Sequence, residues 1–152
     1  MKASWLVALV WAVPAAAASS TPAGDWLVAD GTAVIRVAPC GEGAFCGKIA
    51  WTPGEGVDDH NPDASKRGQN IIGTTILIDM KAAGNNRWSG EIYNPEDGKT
   101  YSGSMVVVGP DILRVEGCLL VFCGGENWTR TSGAAASTAH AGNDTAGMGR
   151  SP

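Results

Sequence analysis

Arg87-Trp88-Ser89-Gly90-Glu91-Ile92-Tyr93, then Asn94-Pro95-Glu96-Asp97-Gly98, then Lys99-Thr100-Tyr101-Ser102-Gly103-Ser104-Met105, reads as one long β-hairpin, and the rest of the chain is organised around it. Both arms alternate with the period of two that a half-buried strand requires. Folding about the turn sets Ile92 opposite Tyr101, Gly90 opposite Gly103 and Trp88 opposite Met105, so the apolar faces coincide. Ser89, Glu91 and Tyr93 then oppose Ser104, Ser102 and Thr100 on the wetter side. Pro, Asp and Gly in the connection suit a chain reversal.

Outward from this hairpin the same pattern recurs. Gly24 to Val28 and Thr32 to Ala38 flank an Asp30-Gly31 turn, with Ala33, Ile35 and Val37 on one face. Gly41-Glu42-Gly43-Ala44 is a second reversal, leading into a third strand, Phe45 to Thr52. With Cys40 opposite Cys46, the expected register sets Ile35 against Trp51 and Val37 against Ile49. Ile71 to Met80 is a fourth strand, and Ile112 to Gly117 with Val121 to Arg130 bring the count to eight. Eight short strands joined mostly by tight reversals predict an all-β, eight-stranded antiparallel up-and-down β-barrel, which removes its edges by closing. A two-sheet sandwich is the alternative, but only Pro53 to Asn70 is long enough to be a Greek-key crossing.

Met1-Lys2, the apolar run Ala3 to Val13, and Pro14 followed by small residues read as a signal peptide over 1–18, cleaved near Ala18. The expected location is periplasmic or secreted, and the processed chain does not span a membrane by a helix. Removing Lys2 leaves 10 basic against 15 acidic residues, a formal charge of −5 with no basic cluster, which argues against a nucleic-acid partner. Ser132 to Pro152 is rich in Ala, Gly, Ser and Thr and carries too little apolar surface to order itself, so 132–152 is expected to be a disordered tail. The folded domain is then 24–131.

Cys40, Cys46, Cys118 and Cys123 all lie in that domain, and an even number in an exported chain points to disulfides. Three connectivities are possible. Strand parity turns all four thiols outward near hairpin ends, which favours Cys40 with Cys46 and Cys118 with Cys123, each worth roughly 2 kcal/mol on the chain-entropy model.

The two chain ends support closure. Gly24-x-Trp26 opens the first strand and Trp128-Thr129-Arg130 ends the last, so a closed meander places Arg130 beside Trp26 for a cation–π contact of about 1 kcal/mol. This looks like the lipocalin and calycin pattern. Together, Gly24-Asp25-Trp26, Gly47-Lys48-Ile49-Ala50-Trp51 after the first cysteine pair, Asp59-His60-Asn61-Pro62-Asp63, Trp88 to Pro95, Gly98 to Tyr101, and Gly117-Cys118 with Cys123 and Trp128 to Arg130 resemble the bacterial exported family filed as domain of unknown function 2147. The resemblance spans the whole domain. It implies a lipocalin-like barrel outside the cytoplasm, with neither an activity nor a ligand attached.

Asp58, Asp59, His60 and Asp63 are the densest potential metal ligands, but their spacing matches no EF-hand loop and there is no His pair, so neither a metal nor a cofactor is expected. No nucleophile stands by an evident base, and no catalytic residue is assigned. An inward Glu126 is expected to neutralise Arg130. The reading that follows is a non-catalytic binding module for a small apolar or amphipathic ligand. Its expected contacts are Trp51, Trp88, Ile92, Tyr101 and Met105 on the wall, and Asp59, Asn61 and Asp63 on the long loop as a binding lip. The alternative is a solid-cored structural or protein-interaction module of the cell envelope. An interior volume of about 300 Å³ or more separates the two. The oligomeric state is left open.

Overall fold

A computed structural model describes residues 20–132; the signal peptide expected at 1–18 and, apart from Ser132, the tail expected at 132–152 lie outside the described residues. Eight antiparallel strands form one closed barrel in sequence order: β1 (Gly24–Leu27), β2 (Val34–Gly41), β3 (Ala44–Trp51), β4 (Thr75–Ala82), β5 (Arg87–Asn94), β6 (Lys99–Gly109), β7 (Ile112–Leu119) and β8 (Phe122–Thr131). Closure is made by β1 against β8, with Trp26 opposite Arg130. One 3₁₀ turn, Ala64–Lys66, interrupts the β3–β4 connection.

The central hairpin has the register its alternation dictates, from Arg87 opposite Val106 to Asn94 opposite Lys99. Its glycines are steric necessities. β4 carries an irregularity between Ile78 and Lys81, where Asp79 takes a left-handed φ of 48°. This bulge pushes backbone against Gly90, so that a Cβ there would stand 2.5 Å from the Ile78 carbonyl oxygen and 2.8 Å from that of Asp79. Backbone oxygens held in a ladder cannot swing aside as a side chain can. Gly90→Ala is therefore expected to cost about 2 to 3 kcal/mol in chemical denaturation, more than an alanine in an open strand would. A value below about 0.5 kcal/mol would contradict the steric account.

Several expectations are corrected. In β2–β3 the residues facing one another are Ile35 with Ile49, Val37 with Gly47 and Ala38 with Cys46, a slip of two from the expected register. The reversal is a two-residue Glu42-Gly43 turn, Gly43 having φ 69°, and Cys40 is the extra residue between Pro39 and Gly41. A slip of two preserves the inward faces. A second irregularity leaves Ala50 unpaired and sets Trp51 against Val34, half-exposed rather than core-facing. The fourth strand begins at Thr75, not Ile71, because residues 71–74 turn back to bond Ile49. Nor is Tyr93 on a wet face: it is buried under the long connection.

The disulfides are Cys40–Cys46 and Cys118–Cys123, with Cα separations of 5.6 and 4.1 Å. The barrel has two unlike ends. At one, Trp26 is fully buried, its indole donates to the Pro22 carbonyl at 2.8 Å, and the Arg130 guanidinium lies 4.1 Å over its ring. Arg130 also donates to the carbonyls of Pro110 and Ala23, each at 2.8 Å, and of Thr21 at 3.3 Å. It is satisfied by carbonyls and an aromatic face, so the expected Glu126–Arg130 ion pair does not form; Glu126 instead accepts from the Trp128 indole. Above Trp26 the interior is filled by side chains such as Leu77, Met80, Met105 and Leu113, all with no exposure. The other end is open.

Candidate functional site

The alternation that faces Ile35, Ile49, Ile92 and Val115 inward, with Ile76 joining them at the irregularity between β3 and β4, continues past the filled half, where the facing positions carry Gly117 and Gly124 instead of large side chains. Space is left. The result is a calyx of about 660 Å³, open at the end formed by the β1–β2, β3–β4, β5–β6 and β7–β8 connections. Trp128 lines it with its indole N–H tied to Glu126, whose carboxylate therefore faces the same space. Tyr101 stands on the wall, its hydroxyl donated to Asp97 in the β5–β6 turn, and that bond raises the phenol's pKa while lowering the carboxyl's. Asp30 and Glu96 also line the calyx, and among the described residues no Lys or Arg does.

A second cavity, about 690 Å³, lies between the long connection and Ile78, Tyr93 and Thr100. The connection is built, not slack. Val57 bridges to Asn70, Ile71 N–H bonds the Gly56 carbonyl, Asp63 caps the 3₁₀ turn by accepting from Ser65, and Arg67 Nε donates to the Asn61 carbonyl at 2.6 Å. Two points pin it to the barrel. Asp58, only 3% exposed, accepts from the Tyr93 hydroxyl at 2.8 and 2.9 Å and from the Asn61 amide at 2.7 Å. Gly98, at φ 68°, lies against the His60 backbone so closely that any Cβ would collide with it. Burial and the adjacent Asp58 carboxylate push the Tyr93 phenol up to about 12.

The expected contact residues divide. Ile92 and Tyr101 line the calyx, while Trp88 and Met105 lie four residues along the same hairpin, roughly 13 Å deeper at the strand rise, in the filled half. Met105 has no exposure, and Trp88 packs edge-on against Phe45 at 6.0 Å. Trp51 lines neither cavity. Asn61 lines the second cavity, whereas Asp59 is exposed and Asp63 is occupied in its cap. Asp58, Asp59, His60 and Asp63 do not converge, and among the described residues no three potential ligands gather as a metal would need. The alternation already set Ile35 and Ile49 on apolar faces. Nothing in it gave their height along the barrel, which decides whether an inward residue fills the core or meets a ligand. Asp58 and Tyr93, far apart in sequence, carried no signal of their contact.

Comparison with solved structures places the fold. A protein from Helicobacter pylori, HP1028, described as belonging to the lipocalin family, superposes with a TM-score of 0.66 over 76% of this chain and 86% of its own, at 18% identity. At that identity the likeness speaks for the fold alone. No curated protein matches the sequence. The model of a family described as an uncharacterized protein conserved in bacteria, DUF2147, matches residues 24–130, the barrel from its first strand to the arginine that closes it, and the chain belongs to that family.

Proposed function

We propose that the protein is a non-catalytic carrier that holds a small amphipathic molecule in the open half of the barrel, its apolar part among Ile35, Ile49, Ile92 and Val115. The observation that carries this is the calyx of about 660 Å³, a volume in the usual range for small-molecule sites, closed below by a packed core and lined mainly by apolar side chains. The lining also selects a head group. Glu126, Asp30 and Glu96 present carboxylates and no cation among the described residues lining the calyx answers them, so an anionic head would be repelled while an uncharged or cationic one is accepted. The two disulfides support an oxidising compartment, consistent with the leader sequence read at the amino terminus.

The test uses N-phenyl-1-naphthylamine as a neutral fluorescent probe, displaced by hexadecanol, hexadecylamine or hexadecanoate, which share one tail. The alcohol and the amine are expected to compete at least tenfold better than the carboxylate. Ile71→Glu, at the calyx rim, is expected to weaken probe binding by tenfold or more, about 1.4 kcal/mol, with the unfolding curve little changed. Equal binding by Ile71→Glu and wild type, or hexadecanoate as the best competitor, would overturn the reading.

A further inference from the structure

The β7–β8 hairpin ends in Cys118-Leu119-Leu120-Val121-Phe122-Cys123, and its four apolar side chains point into solvent: Leu119 is 57% exposed, Leu120 91%, Val121 85% and Phe122 80%. Four adjacent large apolar residues at such exposure form a local patch of the kind that marks an interaction site. Two features set this tip apart from an ordinary hairpin turn. Leu119 faces Phe122 across a two-residue reversal at Leu120-Val121, and Leu120 adopts φ 57°, a left-handed conformation where Asn or Gly is favoured and a bulky side chain is strained. Directly beneath, the Cys118–Cys123 bridge fixes the width of the tip, so the four side chains are presented on a rigid finger.

We infer that this finger docks the protein on a phospholipid bilayer by inserting Leu120, Val121 and Phe122 into its apolar margin. Shape and size select a bilayer over a protein partner. The tip is convex, and one hairpin end is far smaller than the roughly 1,200 Å² that a specific protein interface buries, whereas insertion into lipid needs only apolar area and no complementary pocket. The six-residue loop holds no charge that would have to be desolvated. Around the same end of the barrel Glu96, Asp97 and Glu126 are mixed with Lys66, Arg67 and Lys99, so no basic cluster draws the tip to anionic lipid and an uncharged or zwitterionic surface suffices. Because Gly117 and Gly124, which flank the loop, also line the calyx, docking would bring the calyx opening to the membrane. The docking itself goes beyond the carrier reading and does not depend on a ligand.

The test is flotation of the processed chain, signal peptide removed, with phosphatidylcholine vesicles. Wild type is expected to float with the vesicles, equally at low and high salt. Leu120→Ser/Val121→Ser/Phe122→Ser is expected to partition at least tenfold more weakly while keeping the same unfolding curve and the same probe binding. Ile71→Glu is expected to float as wild type does, which separates failure of the calyx from failure of the tip. Absence of wild-type flotation, flotation undiminished in the triple variant, loss of flotation in Ile71→Glu, or a wild-type dimer in sedimentation equilibrium that the triple variant converts to monomer would each overturn the inference.

Discussion

Trp26→Ala is expected to lower the unfolding free energy by about 4 kcal/mol, a large share of the 5 to 15 kcal/mol that holds a domain of this size together. Trp26 has no exposure, and the filled end of the barrel packs above it. Truncation leaves a cavity that surrounding strands cannot collapse into, since β1 and β8 are held by their own ladder across it. The indole's bond to Pro22 and its face toward Arg130 are lost in the same step. Arg130→Ala is expected to cost less, about 1 to 2 kcal/mol, because it removes a cation–π contact and leaves exposed or half-buried carbonyls that water can satisfy. Denaturant titrations monitored by circular dichroism check both. A Trp26→Ala loss under about 1 kcal/mol, or an Arg130→Ala loss larger than that of Trp26→Ala, would show that the seam is not held from within.

Asp58→Ala is the second large change, expected to cost about 3 kcal/mol. It strands the Tyr93 hydroxyl and the Asn61 amide in a buried place, and each orphaned donor costs about 1 to 3 kcal/mol. The damage should be local. Limited proteolysis is expected to cut the variant between 53 and 74 far faster than wild type, while the strands stay protected. Tyr93→Phe should cost less at neutral pH, since the carboxylate keeps its bond from Asn61. The two proteins should then converge with alkali. The phenol's pKa is raised in the fold to about 12 against an ordinary value of 10.0, so its stabilisation is complete below pH 10 and is lost as pH rises toward 12, because the unfolded chain releases the proton first. A wild-type advantage over Tyr93→Phe that grows across pH 10 to 12 would reverse the sign and refute the assignment.

Much of the architecture was legible because alternation is a local signal. In the central hairpin, one face of Trp88, Gly90 and Ile92 against one of Tyr101, Gly103 and Met105 admits a single register, and the barrel has it. Where the ladder takes an extra residue, alternation misleads. Cys40 and Ala50 are such residues, and after Ala50 the parity that put Trp51 in the core no longer held. Asp79 does the same in β4, and its only advance sign was a glycine at the facing position. Tyr93 shows a different limit. Its strand neighbours correctly put it on the outward face, but that face is roofed by a connection from elsewhere in the chain, and no window of sequence contains both. The apolar run Leu119–Phe122 went unread for a related reason: with strands expected to end at Gly117 and to resume at Val121, it was split between a connection and a strand start, and only the observed reversal at Leu120-Val121 presents all four side chains together.

Each sulfur bridge joins cysteines six or five positions apart, within a single reversal, so neither spans the cylinder nor ties a distant segment to another. The covalent pattern can thus be completed by two independent short-range encounters, in whichever order the segments meet an oxidant, before any circumference exists. Reduction would correspondingly free two hairpin ends while leaving the threading of the chain untouched, and reoxidation would face no choice among remote partners. Circular closure rests wholly on noncovalent pairing of the first and last strands, so it stays reversible under conditions in which the clasps themselves are permanent.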